Sequence, residues 1–425
     1  RGTWVSIVVS LPCTTSKQST KKCITAAGLL ILQINMQLII LFSLLLFVLY
    51  ASLIIYYRSG WIKIPTTTNP NPQTSNQTFI SVIIPARNEE QNLPALLNGL
   101  TEQTYNKALF EVIVVDDYST DGTAGIVKKY SSGNIKLIQL HDYAATTGIN
   151  SYKKKAIEVA IAQSNGELIV TTDADCVVTK NWLQTIAAFY EQNDPAFIVM
   201  PVKYSCNNHF LEIFQALDFM TLQGITGAAV SGKSQSMCNG ANLAYTKKAF
   251  NAVGGFEGIN HIASGDDMLL MHKIYKLNPN GTRYLKSADV IVQTKAMHNW
   301  KDFLNQRIRW ASKADQYDDK RIFWVLLIVY AFNVMMLVLP VIAAINNYQL
   351  TIINYQLSIF ECWLYLLLFK TIIELYYLYP VAAFFKYIKL LCWFPVSQPV
   401  HIVYTVIAGW LGKFGKYEWK ERKVK

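Results

Sequence analysis

The apolar positions of this chain fall into two patterns: long uncharged runs toward both ends, and short periodic runs between them. Leu38 to Tyr57 is free of charge over 20 residues, long enough to span a bilayer. Arg58 and Lys63 follow it and place its C-terminal end in the cytoplasm. The run is too long for a cleaved signal peptide and lacks a small-residue cleavage site. Ile322 to Ile345 is a second uncharged run, with Lys313, Lys320 and Arg321 ahead of it, so its N-terminal end is also inside. Leu357 to Tyr379 carries Glu361, Lys370 and Glu374; the last two are spaced to pair on a helix. The apolar stretch from Pro380 to Leu411 is broken by Pro395, Pro399 and Gly409, so 395–412 reads as an interfacial, re-entrant or spanning segment. The basic tail, Lys413 to Lys425, belongs in the cytoplasm, which requires an even number of crossings after the central block.

That block, residues 79–315, has a different rhythm. Short β-branched runs at Ser81–Ile84, Val112–Val115, Lys136–Leu140, Leu168–Thr172 and Phe197–Val199 predict strands. Helical spacing separates them, as in Leu93/Leu96/Leu97/Leu100, with Asn92 as N-cap, and Ala156/Ile157/Ala160/Ile161. Alternating strands and helices predict an α/β domain with a mostly parallel sheet, which binds ligands beyond the carboxyl ends of its strands. The stripe Phe210, Ile213, Phe214 and Leu217 reads as core packing ahead of membrane docking. The chain thus divides into 1–35, a membrane helix over 36–57, a linker over 58–78 with the polar stretch Thr66–Thr78, the block, a membrane region over 316–412, and the tail 413–425. Residues 1–35 show no periodicity and the first methionine is Met36, so the natural start is expected there and the upstream stretch is expected to be non-native or disordered. Asn347–Leu350 and Asn354–Leu357 repeat one another as a local duplication.

Composition strengthens the membrane reading. Hydrophobic residues make up 52% of the chain and charged ones 16%, too apolar for a plain soluble enzyme. The net charge of +11 suits an anionic leaflet or phosphorylated ligands. The basic residues are scattered, which argues against nucleic acid. The seven cysteines lack CxxC or zinc spacing and read as free thiols in a reducing compartment, and the histidines lack ligand spacing. Gly227 to Ser234 spells a P-loop, but it follows a helical stripe instead of a strand. The acceptor sequons at Asn76 and Asn280 would not meet glycosylation machinery in the cytoplasm.

Candidate chemistry collects at predicted strand and helix ends. Pro85-Ala86-Arg87-Asn88-Glu89-Glu90 turns from a strand into a helix, as an ordinary loop also would. Asp116 and Asp117 close the next strand, with Ser119 and Asp121 as capping residues. Asp173 and Asp175 close another; in an extended segment they face one side and can converge on Mg2+ or Mn2+, although an isolated pair is equally read as two solvated acids. Ser264-Gly265-Asp266-Asp267 opens an apolar helix, either as a dipole-stabilised start or as a general base. Gln306, Arg309 and Trp310 share one helix face, where Arg309 can clamp a diphosphate and Trp310 can stack on a sugar; an amphipathic helix on the membrane is the rival reading.

Taken in order, these segments resemble the membrane-bound family-2 glycosyltransferases over roughly residues 79–312. The resemblance implies the GT-A fold, a Rossmann-like nucleotide-sugar-binding domain, here with flanking transmembrane helices. It implies that Pro85, Ala86, Asn88, Glu89 and Asp117 hold the nucleotide. Asp173 and Asp175 match the family's DxD, with Asp175 the metal ligand. Asp267 stands in the place of the catalytic base, with Asp266 where Glu is commoner, and Gln306, Arg309 and Trp310 match its QxxRW element. The expected activity is one-step, inverting transfer from a nucleotide-sugar donor, UDP first, to a lipid-linked or cell-envelope glycan acceptor. The expected setting is a multi-pass protein of a cell membrane of the bacterial inner-membrane type, in contact with membrane lipids. A processive polysaccharide synthase and a catalytically dead membrane scaffold are the alternatives.

Overall fold

Long apolar helices and a sheet buried on both faces are the two solutions this chain finds for its hydrophobic residues. The computed structural model describes residues 17–67, 77–131, 133–143, 151–207, 209–234, 237–262, 265–313, 319–345, 349–352, 355–415, 417–419 and 422–424, with side chains from Met36 onward outside 349–356 and 417–424. In chain order the elements are α1 (Lys17–Lys63), β1 (Ile80–Ala86), α2 (Leu93–Thr101), β2 (Phe110–Asp116), α3 (Thr123–Tyr130), β3 (Ile135–Gln139), α4 (Tyr152–Gln163), β4 (Leu168–Thr171), α5 (Trp182–Asn193), β5 (Phe197–Val199), β6 (Val202–Ser205), α6 (Phe210–Ser231) and β7 (Leu243–Thr246). They continue with α7 (Lys247–Ala252), α8 (Met268–Leu277), β8 (Thr282–Tyr284), β9 (Val292–Lys295), α9 (Trp300–Ala311), α10 (Lys320–Ile345), α11 (Ile359–Phe385) and α12 (Phe394–Phe414).

The main sheet has the order β3-β2-β1-β4-β7-β5-β8. β3, β2, β1 and β4 are parallel, β7 runs antiparallel to both its neighbours, and β8 is parallel to β5. β2 and β4 are buried along their whole length, which is why they read as unbroken apolar runs. All five predicted strands form. β6 and β9 pair in a separate two-stranded parallel ribbon that flanks the carboxyl end of the sheet. Alternate residues feed two cores: Val82, Ile84, Val112 and Val114 pack with α2 and α5, while Ile83, Ile113, Val115 and Ile169 join a cluster that runs on into α1, α6 and α11.

Helix α6 joins the block to the apolar helices. Its predicted stripe is core: Ile213, Phe214 and Leu217 are buried and Phe210 is half-buried. A Cβ added at Gly60 of α1 would lie 2.9 Å from the Ala228 Cβ of α6, so these helices approach closely. Lys286 donates from Nζ to the Trp61 carbonyl at 3.0 Å and lies 4.2 Å over the Trp61 ring, tying the end of α1 to the block. The P-loop spelling lies at the end of α6, where Gly227 packs on Trp61, and makes no phosphate loop.

Among the described residues three helices are long and apolar enough to cross a membrane: Met36–Lys63, Lys320–Ile345 and Ile388–Phe414. The expected run 357–379 falls in α11 from Ile359 on, which is not one of them. Lys370 and Glu374 do pair there, at 2.6 Å, and Tyr50 and Gln398 donate to the same carboxylate. The C-terminal helix touches the block near both ends: Trp393 meets Phe210 with ring centroids 6.2 Å apart, and Gly412 abuts Ala311.

Some expectations shift. Helical geometry continues upstream of Met36 to Lys17, where no periodicity is visible. Asn92 precedes α2 but makes no capping bond. It has an α-type backbone conformation, and Pro94 in the first turn has no N–H to offer, so its amide bonds Glu89 and Lys295 instead. Residues 1–16, the linker segment 68–76 with Asn76, Ser264, Asn347 and Asn354 lie outside the described residues. Cys176, Cys206, Cys238, Cys362 and Cys392 are free thiols.

Candidate functional site

The carboxyl ends of β1, β2 and β4 open onto a cavity of about 1110 Å3 that runs down between the apolar helices. Its upper wall is made by two interlocked loops. After β1, Asn88 takes a left-handed φ of 54°; its Oδ1 accepts from Thr120 N at 2.9 Å and its N–H donates to Ser119 Oγ at 3.0 Å. After β2, Asp121 accepts from Thr123 N at 3.0 Å and its other oxygen accepts from Glu90 N; the N-cap of α3 is Gly122, so neither Ser119 nor Asp121 takes the expected capping position. Pro85, Ala86, Glu89 and Asp117 line the cavity, and Arg87 reaches the Asp117 carbonyl at 3.1 Å. Asn88, expected at the nucleotide, is not among the residues lining the cavity; its side chain is exposed and joins the two loops.

Beyond β4, Asp173 and Asp175 both reach the cavity. Thr294 of β9 donates to Asp175 Oδ2 at 3.0 Å. Burial raises the pKa of Asp175, and the neighbouring Asp173 charge raises it further. Two crowded carboxylates, one of them reluctant to ionise, suit a divalent cation that binds oxygen. Among the described residues no group of three or more His, Cys, Asp or Glu is placed to hold a metal ion.

Lys153, at the start of α4, organises this centre. Its Nζ lies 2.8 Å from Asp173 Oδ1 and 3.0 Å from Asp266 Oδ2. Burial works against its charge, but Asp173 and Asp266 outweigh burial and hold its pKa above the usual lysine value. Burial likewise works to raise Asp266, but Lys153 first and Lys313 second hold it below the usual carboxylate range. Asp267, the last residue before α8, accepts from Met268 N at 2.7 Å and from Gly240 N at 3.1 Å. Gly240 is tightly placed: an added Cβ would lie 3.1 Å from Asp266 Oδ2 and 3.2 Å from Lys153 Nζ, so those side chains would have to give by a few tenths of an ångström. Gly240 thus brings its backbone close to Asp266 and Asp267. Asn242 beside it is wholly buried, bonded to Pro201 O, Val290 O and Trp182 Nε1.

Gln306, Arg309 and Trp310 of α9 line the opposite wall, as their shared helix face requires. One face of the Trp310 ring is covered by the Arg307 guanidinium at 4.3 Å. Arg307 itself turns into a buried pair with Asp218 of α6, at 2.9 Å from Nε and 2.6 Å from Nη2, and donates to Gln306 Oε1 at 2.7 Å. Tyr404 of α12 donates to the same Asp218.

Lys154, next to the bridging lysine, does structural work. Its buried Nζ donates to the Ile259 and Ile262 carbonyls at 2.6 and 2.8 Å, holding the loop ahead of Asp266. Burial lowers its pKa to about 8. The unfolded chain therefore binds more protons than the folded one between about pH 8 and the free lysine value near 10.4. Stability should rise through that window as pH rises. Thermal melts of Lys154→Met should lose the alkaline rise; an unchanged pH profile would contradict this assignment.

Comparison with known proteins now bears on this geometry. The description "Glycosyl transferase family 2" matches residues 81–254, and "Glycosyl transferase family group 2" matches residues 168–411. The chain belongs to the family-2 glycosyltransferases. Among curated relatives, the poly(ribitol-phosphate) β-N-acetylglucosaminyltransferase TarS of Staphylococcus aureus is 37% identical over 124 residues, 29% of this chain and 21% of that protein. Glycosyltransferase AglE of Haloferax volcanii is 30% identical over 202 residues, 46% of this chain and 60% of the relative. The probable glycosyltransferase YdaM of Bacillus subtilis is 28% identical over 248 residues, 56% and 55% of the two chains. The chain thus spans between 21% and 60% of the length of these relatives. Among solved structures, the mannosyltransferase PcManGT of Pyrobaculum calidifontis superposes with a TM-score of 0.55 at 19% identity, over 86% of this chain and 99% of the other. The fold is therefore that of the GT-A glycosyltransferases, a mixed α/β sheet with apolar helices attached.

Proposed function

We propose that this chain transfers a sugar from a nucleoside diphosphate to a hydroxyl of a lipid-linked or cell-envelope glycan acceptor, at a membrane surface and with inversion. The observation that carries this reading is the convergence on one cavity of Asp173 and Asp175, the Asp266-Asp267 pair and the Gln306/Arg309/Trp310 face. Relatives whose names specify a poly(ribitol-phosphate) acceptor or 4,4'-diaponeurosporenoate support an envelope or lipid acceptor. The Pyrobaculum mannosyltransferase was solved with GDP-mannose and Mn2+, which supports a nucleotide-sugar donor and a divalent cation.

In this reading Pro85, Ala86, Glu89 and Asp117 cradle the nucleotide, with UDP as the first candidate. Asp175 and Asp173 hold Mg2+ or Mn2+, which when bound would offset charge on the leaving diphosphate. Arg309 clamps the diphosphate with its planar fork. Asp267 takes the proton from the attacking hydroxyl. Lys153 releases Asp173 as donor and cation arrive, and keeps Asp266 ionised and in place. Trp310 presents the ring face not covered by Arg307 to the sugar.

The membrane arrangement we infer has α1 and α10 in the bilayer and the block on its cytoplasmic face. Tyr387, just past α11, donates to the Tyr204 carbonyl at 2.7 Å, so α11 returns to the block. In this arrangement α11 is the returning span, its buried Lys370 and Glu374 neutralising one another, so α10 and α11 make the even pair of crossings; α12, although long and apolar enough to span, lies along the interface because it touches the block near both ends. Incubating the full chain in lipid vesicles with labelled UDP- and GDP-sugars tests the proposal. Label should move into lipid-extractable or glycan product, and should stop moving when the cation is chelated. No transfer and no release of nucleoside diphosphate from any donor would contradict it.

A further inference from the structure

Between α11 and α12 the chain makes an elbow, Lys386 to Trp393, where the apolar helices come back to the block. Lys386 closes α11 in a left-handed conformation, φ 62°, and a 3-10 turn over Ile388–Trp393 follows with no buried residue. Tyr387 fastens the elbow to β6 through its bond to the Tyr204 carbonyl, and Trp393 fastens it to Phe210 of α6. Lys203, the residue before Tyr204, reaches the same place: its Nζ lies 5.4 Å from the centre of the Tyr387 ring. Lys203 is half-buried, and burial first and the Lys386 charge second lower its pKa. Among the described residues no carboxylate lies within ion-pair distance of either lysine. Two cations brought together without an acid repel one another, and an anion between them removes that repulsion. The surroundings say where the anion comes from. Ile388, Trp393 and Val396 present exposed apolar side chains beside the bases, and Lys389 adds a further exposed charge. Apolar side chains, a tryptophan and lysines at one level are the composition of a membrane–water boundary, where lipid heads supply the negative charge.

We propose that the elbow is a binding site for the head of an anionic membrane phospholipid, with its phosphate between Lys203 and Lys386 and its acyl chains along Ile388, Trp393 and Val396. The site rests on the membrane arrangement inferred above and not on the sugar-transfer chemistry, since none of these residues lines the catalytic cavity. It has a consequence for the block all the same. Lys203 lies on β6, β6 pairs with β9, and Thr294 of β9 donates to Asp175. A lipid held at Lys203 therefore fastens to the membrane the ribbon that borders the acidic centre.

The test places the photoreactive residue p-benzoylphenylalanine at Ile388 of the full chain in phosphatidylcholine vesicles. The vesicles carry a small, equal fraction of either labelled phosphatidylglycerol, which is anionic, or labelled phosphatidylcholine, which has a phosphate but no net charge. Phosphatidylglycerol should be cross-linked about tenfold more, the scale of two lysines acting on one anionic head. The Lys203→Gln/Lys386→Gln double variant should bring that labelling down to the phosphatidylcholine level. Lys128→Gln/Lys129→Gln, which removes the same charge from the exposed side of α3, should leave the preference intact. Millimolar inorganic phosphate should not compete. The same probe at Phe360, exposed at the other end of α11, should label both lipids equally in every variant, which shows that each is inserted. Equal labelling at Ile388, a preference that survives the Lys203/Lys386 change, or one lost as fully in the α3 variant would overturn the proposal. Complete competition by inorganic phosphate would also overturn it, assigning the lysines to a free anion. Release of nucleoside diphosphate by the same vesicles reports on the transferase reading separately.

Discussion

Asp267→Asn should lower sugar transfer by roughly 100- to 10,000-fold, the contribution of a well-placed general base, while nucleotide binding persists. The substitution keeps the size of the side chain at the start of α8. It removes the only feature a base needs, an anionic oxygen able to take a proton. The two backbone donors on Asp267, from Met268 and Gly240, explain why the carboxylate is fixed in orientation instead of sampling rotamers. Asp266→Asn should behave differently. Asp266 is paired with Lys153, so its loss disturbs the lysine bridge to Asp173 and weakens donor binding as well as turnover. Steady-state kinetics that separate kcat from KM distinguish the two variants. Full transfer activity in Asp267→Asn would remove this residue from its role.

The second large effect is on stability. Arg307→Met should destabilise the folded chain by about 3–5 kcal/mol, because it leaves Asp218 charged and buried without its guanidinium. The pair is 4% exposed on both sides and joins α9 to α6, with Tyr404 of α12 on the same carboxylate. Removing both charges, as in Arg307→Met/Asp218→Leu, should cost less than the single change, since no orphan charge remains. The double-variant comparison in denaturant titrations separates the ion pair from simple loss of packing. A single variant within about 1 kcal/mol of the parent would mean that the pair adds nothing beyond its neighbours.

Where the fold was readable from sequence, burial explains why. β1, β2 and β4 are covered on both faces, so Val82-Ile83-Ile84, Val112-Ile113-Val114-Val115 and Leu168-Ile169-Val170 announce themselves without alternation. β7 and β8 do not. Leu243-Ala244-Tyr245-Thr246 lacks the β-branched run that marks β4, which is no longer, and Thr282–Tyr284 carries an exposed arginine at its centre. Both are held by neighbours distant in sequence, which no local pattern records. The site shows the same division. Asp173, Asp175, Asp267, Gln306, Arg309 and Trp310 lie where spacing on a strand end or helix face puts them. Asn88 is implied at the nucleotide by the family resemblance; its left-handed backbone and its bonds to the neighbouring loop leave its side chain exposed, which no local pattern records. Lys153-Lys154-Lys155 carries no signal in the sequence that separates its members. In the fold the three diverge: Lys153 bridges two acids, Lys154 is buried on loop carbonyls, and Lys155 meets Glu158 on the surface of α4. Helical rotation of about 100° per residue separates them, and only the tertiary partners tell which is which. Arg307 is hidden for a similar reason, lying between the residues of the resemblance and pointing into α6.

The most direct measurement is the transferred sugar itself, read with its stereochemistry. The full chain in vesicles, given a labelled nucleotide sugar that it turns over, should yield a product whose anomeric configuration, measured by NMR coupling, is opposite to that of the donor. Label should be carried on a lipid-extractable or glycan acceptor. A product that retains the donor's configuration would contradict one-step displacement with Asp267 as base, and absence of any sugar transfer would contradict the account as a whole.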